Sequence, residues 1–125
     1  MNSILLDSSV IVDFLRVKDK KSTLFYNFVL QKYQIYISII THSELFAGKS
    51  VWQTQRARNE LEALFSKMQI LNLDEKISEK AGYIKAAYNI NLLDAIIAAT
   101  ALVNKLQFAT LNTKDFANIK GLKLL

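Results

Sequence analysis

Three acidic residues lie at positions that a purely structural role does not fully explain: Asp7, Glu44 and Asp94. Asp7 ends a short apolar run, Glu44 follows a second apolar run, and Asp94 falls in the first turn of a predicted helix that is apolar nearly all round. A charge among apolar side chains costs several kcal/mol unless a partner compensates it. Because Mg²⁺ and Mn²⁺ prefer carboxylate oxygens, acids that meet at one place predict a divalent-cation site.

Each acid also has an ordinary structural interpretation. Asp7 has the residue type and the position of a cap for the helix that follows it. Glu44 fits the acidic half of a capping box that Thr41 begins. Capping explains Asp94 less well, because Asn91 already stands ready as the N-cap of the same helix. Taken singly, these positions leave both interpretations open.

Taken together, the three acids favour chemistry. In a parallel sheet the carboxyl ends of the strands meet at one edge, where ligands bind. Like charges gathered there repel one another unless a cation or a shared proton compensates them. A bound divalent ion would acidify a water molecule and stabilise the charge that develops on phosphate oxygens. The arrangement therefore predicts cleavage of a phosphodiester.

Further oxygen-bearing side chains accompany the acids. Asn112 and Asp115 follow the last predicted catalytic-face strand, and Asp115 equally fits a cap of a short final helix through Phe116. Five hydroxyls beside the acids are candidates for orienting them or holding water, although hydroxyls at helix starts are usually caps: Ser8, Ser9, Thr41, Ser43 and Thr110.

Two other residues have weaker support as functional groups. His42 has the chemistry to protonate a leaving group, but a surface or capping-loop role is favoured. Trp52 and Phe46 lie near a predicted helix break, where core packing is favoured over exposure to a partner.

The elements that must position these residues are predicted from hydrophobic periodicity. Short apolar runs predict strands near residues 3–7, 34–40, 68–73, 107–110 and 122–124. Helical spacing predicts helices over residues 8–16, 22–33, 41–48, 51–66, 74–88 and 92–106, with Ser22, Thr41 and Asp74 as caps. Strands that alternate with helices predict an α/β fold, in which a mostly parallel sheet of four or five strands is flanked by about seven helices.

Composition narrows the chemistry further. The chain has 125 residues, no Cys and one His, so we expect a single domain over residues 1–125, without disulfides, cysteine nucleophiles or zinc sites built from Cys or several His. The net charge of +5 favours a polyanionic partner such as nucleic acid. No segment approaches about 18 consecutive apolar residues, and the first residues lack the features of a signal peptide, which predicts a cytoplasmic protein with no membrane partner.

Four segments of the sequence form a family pattern: LLDSSVIVDFL, ISIITHSELFAG, NLLDAIIAATAL and FATLNTKDFANIKGLKLL. In order and spacing they resemble the VapC-like toxins of the PIN-domain family, over almost the whole chain. The resemblance implies a PIN-like three-layer sandwich and an Mg²⁺- or Mn²⁺-dependent endoribonuclease that hydrolyses RNA. It also implies the toxin half of a toxin–antitoxin pair, a homodimer held inactive by a cognate antitoxin protein.

The resemblance assigns roles to individual residues. Asp7 matches the acid after the first strand, Glu44 the acid of the central segment and Asp94 the acid that opens the apolar helix. Many family members carry a fourth acid where this sequence has Asn112, with Asp115 three residues later. The resemblance therefore implies either that Asn112 supplies a neutral oxygen and Asp115 the charge, or that the site holds a single ion. Ser8 and Thr110 match positions that orient the acids.

Three other classes compete with this interpretation. A phosphoacceptor receiver module is rejected, because it requires an acidic pair after the first strand, where Ser8 and Ser9 follow Asp7. A binding-only module with the same fold stays open, although the three carboxylates argue against it. A DNA-directed nuclease with the same ion also stays open, because only the resemblance favours RNA.

Overall fold

A four-stranded parallel sheet forms the centre of the molecule. The computed structural model describes residues 2–125, and its strands are Ser3–Leu6 (β1), Gln34–Ser38 (β2), Gln69–Leu71 (β3) and Gln107–Ala109 (β4). They lie in the order β3-β2-β1-β4, and each neighbouring pair is parallel. The first strand is therefore an inner strand, and the last strand in sequence lies beside it.

Helices connect the strands and cover both faces of the sheet. Within residues 2–125 there are eight α-helices: Ser8–Arg16 (α1), Leu24–Leu30 (α2), Ile39–Phe46 (α3), Lys49–Gln53 (α4), Gln55–Phe65 (α5), Glu75–Tyr88 (α6), Leu92–Val103 (α7) and Thr113–Phe116 (α8). None of the helices in this range is long and apolar enough to cross a membrane. The predicted α/β fold, with a parallel sheet between helical layers, is confirmed.

Two apolar cores lie on opposite faces of the sheet. Successive residues of a strand point to opposite faces, and β1 shows this division: Ile4 and Leu6 belong to one core and Leu5 to the other, with all three fully buried. Helices α1, α2 and α5 contribute to the first core, whereas α6 and α7 contribute to the second. Helix α7 packs against both α6 and the sheet, which explains why its sequence is apolar nearly all round.

The second strand ends earlier than its apolar sequence predicts. The hydroxyl of Ser38 accepts a hydrogen bond from the N–H of Ile40 (3.1 Å) and caps α3, so the backbone becomes helical from Ile39 onwards. Thr41 therefore lies inside α3, where it is fully buried. The predicted cap at Thr41 is wrong, because a serine three residues earlier begins the helix.

Three other helix starts test the predicted caps. Asp74 caps α6 as predicted, since its Oδ1 accepts the N–H of Ile77 (2.8 Å). The cap of α2 is Thr23 rather than Ser22, which lies in a preceding 3₁₀ turn. The region 51–66 contains two helices instead of one, because Thr54 is extended and its hydroxyl caps α5.

The last predicted strand, residues 122–124, is not part of the described sheet ladder. Leu124 forms one isolated parallel bridge with Phe108 of β4. The N–H of Leu125 donates to the carbonyl of Phe108 (2.9 Å), and the N–H of Phe108 donates to the carbonyl of Lys123 (2.8 Å). This bridge covers the edge of β4 without extending the sheet to a fifth strand.

Candidate active site

Asp7 occupies the carboxyl end of the inner strand β1. It is only 3% exposed, and its N–H donates to the carbonyl of Ala109 at the end of β4 (2.9 Å). Asp7 also stands at the N-cap position of α1, but its side chain accepts no backbone N–H there. The interpretation of Asp7 as a side-chain cap is therefore wrong, and its buried carboxylate needs another explanation.

Two hydroxyls hold the Asp7 carboxylate in place. Asp7 Oδ2 accepts hydrogen bonds from Ser9 Oγ (2.8 Å) and from Thr110 Oγ1 (2.7 Å). Each hydroxyl in turn accepts a backbone N–H from the segment after β4: Ser9 Oγ from Leu111 (3.0 Å) and Thr110 Oγ1 from Asn112 (3.0 Å). We call Ser9 and Thr110 the hydroxyl clamp. Because each hydroxyl donates to Asp7 and accepts a backbone N–H, the clamp fixes the orientation of the carboxylate.

Glu44 and Asp94 lie close enough to Asp7 for its charge to raise their pKa values. Burial raises the pKa of Glu44 above its ordinary value, and the charges of Asp7 and, more weakly, Asp94 raise it further, while the Ser8 hydroxyl partly opposes them. The pKa of Asp94 is also raised, first by burial and then by the charges of Asp7 and Asp115. The topology thus brings the predicted acids into one negative field at the carboxyl edge of the sheet.

The position of Glu44 in α3 excludes the capping-box interpretation. The helix begins at Ile39, so Glu44 lies in its second turn, beyond the reach of the helix start. Its Oε1 is buried and has no hydrogen-bond partner in the described part of the chain, and the same holds for Thr41 Oγ1. An unpaired buried carboxylate oxygen is costly, which identifies Glu44 Oε1 as an atom available to a ligand.

Asp94 is likewise not the cap of its helix. Asn91 Oδ1 accepts the N–H of Leu93 (2.8 Å) and caps α7 as predicted. Asp94 lies in the first turn of α7, half-buried. An acid is favourable there because the helix dipole is positive at its N-terminus, but that contribution does not remove the repulsion from Asp7 and Asp115.

Two residues, Asn112 and Asp115, are predicted for the fourth oxygen-bearing position of the site. Asn112 is exposed and occupies the N-cap position of α8 without a side-chain cap bond; its N–H joins the hydroxyl clamp. Asp115 lies in the first turn of α8, not at its cap, so the capping interpretation of this residue is wrong. Since its charge raises the pKa of Asp94, Asp115 lies within electrostatic reach of Asp94.

The remaining predicted candidates differ in whether they contact the acids. The ring of His42 packs against Phe46 and Phe65, with centroid distances of 4.8 and 4.6 Å, so this residue of α3 belongs to a partly buried aromatic cluster and not to a capping loop. Ser43 is exposed on α3. Ser9, one of several hydroxyls noted beside the acids, makes the close contact with Asp7. The adjacent Ser8 and Ser9 look alike in sequence, and the contact with Thr110 distinguishes them.

The oxygen atoms at this edge fit a hard divalent cation. The group combines the carboxylates of Asp7, Glu44, Asp94 and Asp115, and their mutual repulsion is what such an ion would relieve. Across residues 2–125, no three acidic or histidine side chains converge closely enough to enclose an ion unaided.

Removing one charge from this group should stabilise the metal-free protein. We expect Asp94→Asn to raise the melting temperature near neutral pH by about 2–6 °C. Folding favours the protonated carboxyls, because the pKa values of Asp94 and Glu44 are raised in the folded chain. The stability that these groups contribute is present below their ordinary pKa values and is lost as the pH rises through the raised ones. The gain from Asp94→Asn should therefore shrink in acid.

Thermal unfolding in EDTA at neutral and acidic pH measures this gain. The matched control is Asp19→Asn, since Asp19 is exposed and makes no side-chain cap bond; it should leave the melting temperature unchanged. Added Mn²⁺ should stabilise the unaltered chain more than the Asp94→Asn variant. A lower melting temperature for Asp94→Asn at neutral pH, or an equal gain at both pH values, would contradict the assignment of repelling charges.

Comparisons with known proteins agree with this fold. The model of the family described as PIN domain matches residues 4–122. The chain is 29% identical to a toxin–antitoxin complex from Klebsiella pneumoniae, over 95% of this chain and 94% of that one, with a TM-score of 0.77. For FitAcB from Neisseria gonorrhoeae the identity is 26%, the shares are 98% and 96%, and the TM-score is 0.78.

A third similar structure has a lower sequence identity to this chain and an equally similar fold. For DNA-bound VapBC from Salmonella typhimurium the identity is 23%, the shares are 100% and 98%, and the TM-score is 0.83. No curated protein matches the chain.

Proposed function

Since the chain belongs to the PIN-domain family, whose members are nucleases, we propose that it is a metal-dependent endoribonuclease and the toxin of a toxin–antitoxin pair. The observation that carries the proposal is the buried Asp7 carboxylate, which the hydroxyl clamp orients beside Glu44 and Asp94. A buried acid that raises the pKa of two others is costly to keep in a purely structural role.

The proposal divides metal binding and water orientation among the four acids. Asp7 and Asp94 would hold Mg²⁺ or Mn²⁺, with Glu44 and Asp115 contributing directly or through water. When bound, the ion supplies an acidified water and stabilises the charge that develops on the scissile phosphate. Glu44 Oε1, which has no partner within residues 2–125, would accept a hydrogen bond from the attacking water and orient it.

The hydroxyls and the backbone position these groups. The clamp keeps Asp7 in one orientation, so the carboxylate does not have to reorganise when substrate binds. Ser8 lies beside Glu44 and favours its charged form. Asn112 would add a neutral oxygen at the exposed side of the site, where an extended polyanion can approach. The net charge of +5 assists that approach.

A protein partner is the second part of the proposal. The similar structures include a toxin–antitoxin complex, and this chain has an apolar groove in which a partner can bind. Two cavities of about 310 and 440 Å³ share Leu15 and Glu60, and apolar side chains of α1 and α5 line them. We propose that the antitoxin covers this groove, which Glu44 also lines, and thereby blocks the site.

We expect the antitoxin to be the product of the gene adjacent to the gene of this chain, and this identity can be tested. The two proteins should purify together, and the complex should not cut RNA. A complex that cuts RNA as well as the free chain does would overturn this part.

The proposal also includes a homodimer. Light scattering of the free chain should therefore give twice the chain mass of 14.2 kDa. A monomer at working concentrations would exclude the homodimer.

Cleavage of total cellular RNA tests the nuclease itself. The purified chain, free of antitoxin, should make discrete cuts with Mn²⁺ or Mg²⁺ and none with EDTA. The Asp94→Asn variant, purified in the same way, controls for contaminating nucleases and should be inactive. No cutting of RNA would favour a binding-only module, and cutting of single-stranded DNA in preference to RNA would favour the DNA-directed alternative.

A further inference from the structure

Trp52 is the single tryptophan of the chain, and it lies on the surface. Its sequence position favours core packing, but the structure leaves 62% of the residue exposed, so that prediction is wrong. Tryptophan is enriched at interfaces, because its ring is apolar and its N–H is polar. The surroundings of Trp52 determine what kind of partner fits.

The indole ring is held in a fixed orientation. Its Nε1–H donates to the carbonyl of Phe46 (2.6 Å), and the guanidinium of Arg58 lies over the ring at 5.8 Å from its centroid. Arg58 is itself fixed, because it donates to the carbonyl of Val51 (3.4 Å) and to Gln55 Oε1 (2.8 Å). An aromatic ring that is already ordered loses little conformational entropy when a ligand stacks on it. We call Trp52 and Arg58 the indole platform.

The platform adjoins the candidate active site. Val51, directly before Trp52, lines the cavity of about 310 Å³ together with Glu44 and Arg16. Phe46, which accepts the indole N–H, follows Glu44 by half a turn of α3. The platform is therefore joined through Val51 to a cavity that Glu44 also lines.

The charge around the platform is positive. Lys49 lies in α4, the short helix that contains Trp52, and Arg56 and Arg58 lie in the first turns of α5, the helix that follows. Arg56 pairs with the exposed Glu60 at 3.2 Å, which offsets its charge, so Lys49 and Arg58 supply the positive charge beside the ring. A flat, exposed aromatic ring among cations is the arrangement that single-stranded nucleic acid uses, with bases on the ring and phosphates near the cations.

We propose that the indole platform stacks a base of the single-stranded RNA whose phosphodiester lies at the acids. This inference rests on the proposed function and adds a binding site to it. Stacking on an aromatic ring tolerates any base, so the platform would supply affinity and would hold the strand in line with the cavity, without selecting the sequence that is cut. A positioning role of this kind is separate from the chemistry of the acids.

Fluorescence of the single tryptophan tests the stacking directly. The Asp94→Asn variant in EDTA is titrated with single-stranded oligoadenylate, so that no cleavage interferes. We expect saturable quenching of Trp52 emission, whereas the same sequence annealed to its complement should quench much less because its bases are already stacked. Binding of the oligonucleotide without any change in Trp52 emission would overturn the proposal.

Substitutions of Trp52 test whether its aromatic ring binds the RNA. In the same Asp94→Asn background, Trp52→Leu should weaken oligoadenylate binding by about 5- to 150-fold, measured by anisotropy of labelled RNA. Trp52→Phe should restore much of the affinity, because it keeps an aromatic face. The matched control is Tyr83→Leu, which removes another ring that is 61% exposed beside a lysine; it should leave the affinity unchanged. An equal loss for Tyr83→Leu would overturn the proposal.

The outcomes distinguish this inference from the proposed function. If Trp52 emission is quenched but the unaltered chain cuts no RNA with Mn²⁺, the platform stands and the nuclease assignment falls. If RNA is cut and Trp52→Leu binds and cuts it normally, the nuclease stands and the platform falls. Quenching by a co-purifying protein partner, with none by RNA, would assign the platform to that protein and overturn the RNA proposal.

Discussion

Replacement of Asp7 by asparagine should lower RNA cleavage by about 100-fold or more, because changes in the groups that merely surround a metal ligand already cost about 10- to 100-fold. Asp7 is the acid that influences both Glu44 and Asp94, so its charge is central to the site. Its amide replacement still offers an oxygen to Ser9 and Thr110, which should preserve the local structure.

The measurement needs both activity and stability. Cleavage rates with saturating Mn²⁺ give the loss, and thermal unfolding in EDTA shows whether the variant folds. We expect a melting temperature equal to or above that of the unaltered chain, because one of several repelling charges has been removed. An Asp7→Asn protein that cuts RNA at the normal rate would refute the assigned site, and the Asp19→Asn variant provides the matched control for loss of a surface carboxylate.

The second large effect is expected for Thr110→Val. Valine has the shape of threonine but lacks the hydroxyl that donates to Asp7 Oδ2 and accepts the N–H of Asn112. Cleavage should fall by about 10- to 100-fold, the range typical of residues that orient a metal ligand. The loss should be partly recovered at higher Mn²⁺ concentration, because the acids themselves remain.

Thr110→Ser supplies the matched control for this prediction. It keeps the hydroxyl and removes only a methyl group from a residue that is 4% exposed, so cleavage should stay near normal despite a small loss of stability. If Thr110→Val and Thr110→Ser have the same activity, the hydroxyl has no positioning role. Comparison at several Mn²⁺ concentrations separates weak ion binding from a slower chemical step.

Much of the sheet could be predicted from the sequence because its strands are short and apolar. The run from Ser3 to Leu6 is buried on both sides by helices, and this burial produces the continuous apolar pattern of a parallel strand. The apolar sequence of α7 has the same cause, because this helix packs against both α6 and the sheet. Boundaries were harder, because Ser38, Thr23 and Thr54 each take a cap position that a neighbouring residue could have filled.

The acids of the candidate site could be proposed from sequence, but the clamp could not. Asp7 and Thr110 are 103 residues apart, and nothing in the local sequence of either residue indicates that they touch. The choice of Ser9 over Ser8 as the partner of Asp7 depends on the same long-range contact. The exposure of Trp52 was also beyond the sequence, because the break at Thr54 divides the predicted helix into α4 and α5, and periodicity read across that break does not indicate which side of α4 is covered.

The hydroxyl clamp also sets when the site can form during synthesis. Chains emerge from the ribosome with the N-terminal part first, so Asp7 and Ser9 are made long before Thr110, which closes the clamp from 103 residues further along the sequence. The strand β4 that carries this segment must first add itself beside β1. A growing chain can therefore hold Asp7, Glu44 and Asp94 without an ordered site. In a cell, the proposed nuclease would become competent only after Thr110 and the strand before it have been synthesised.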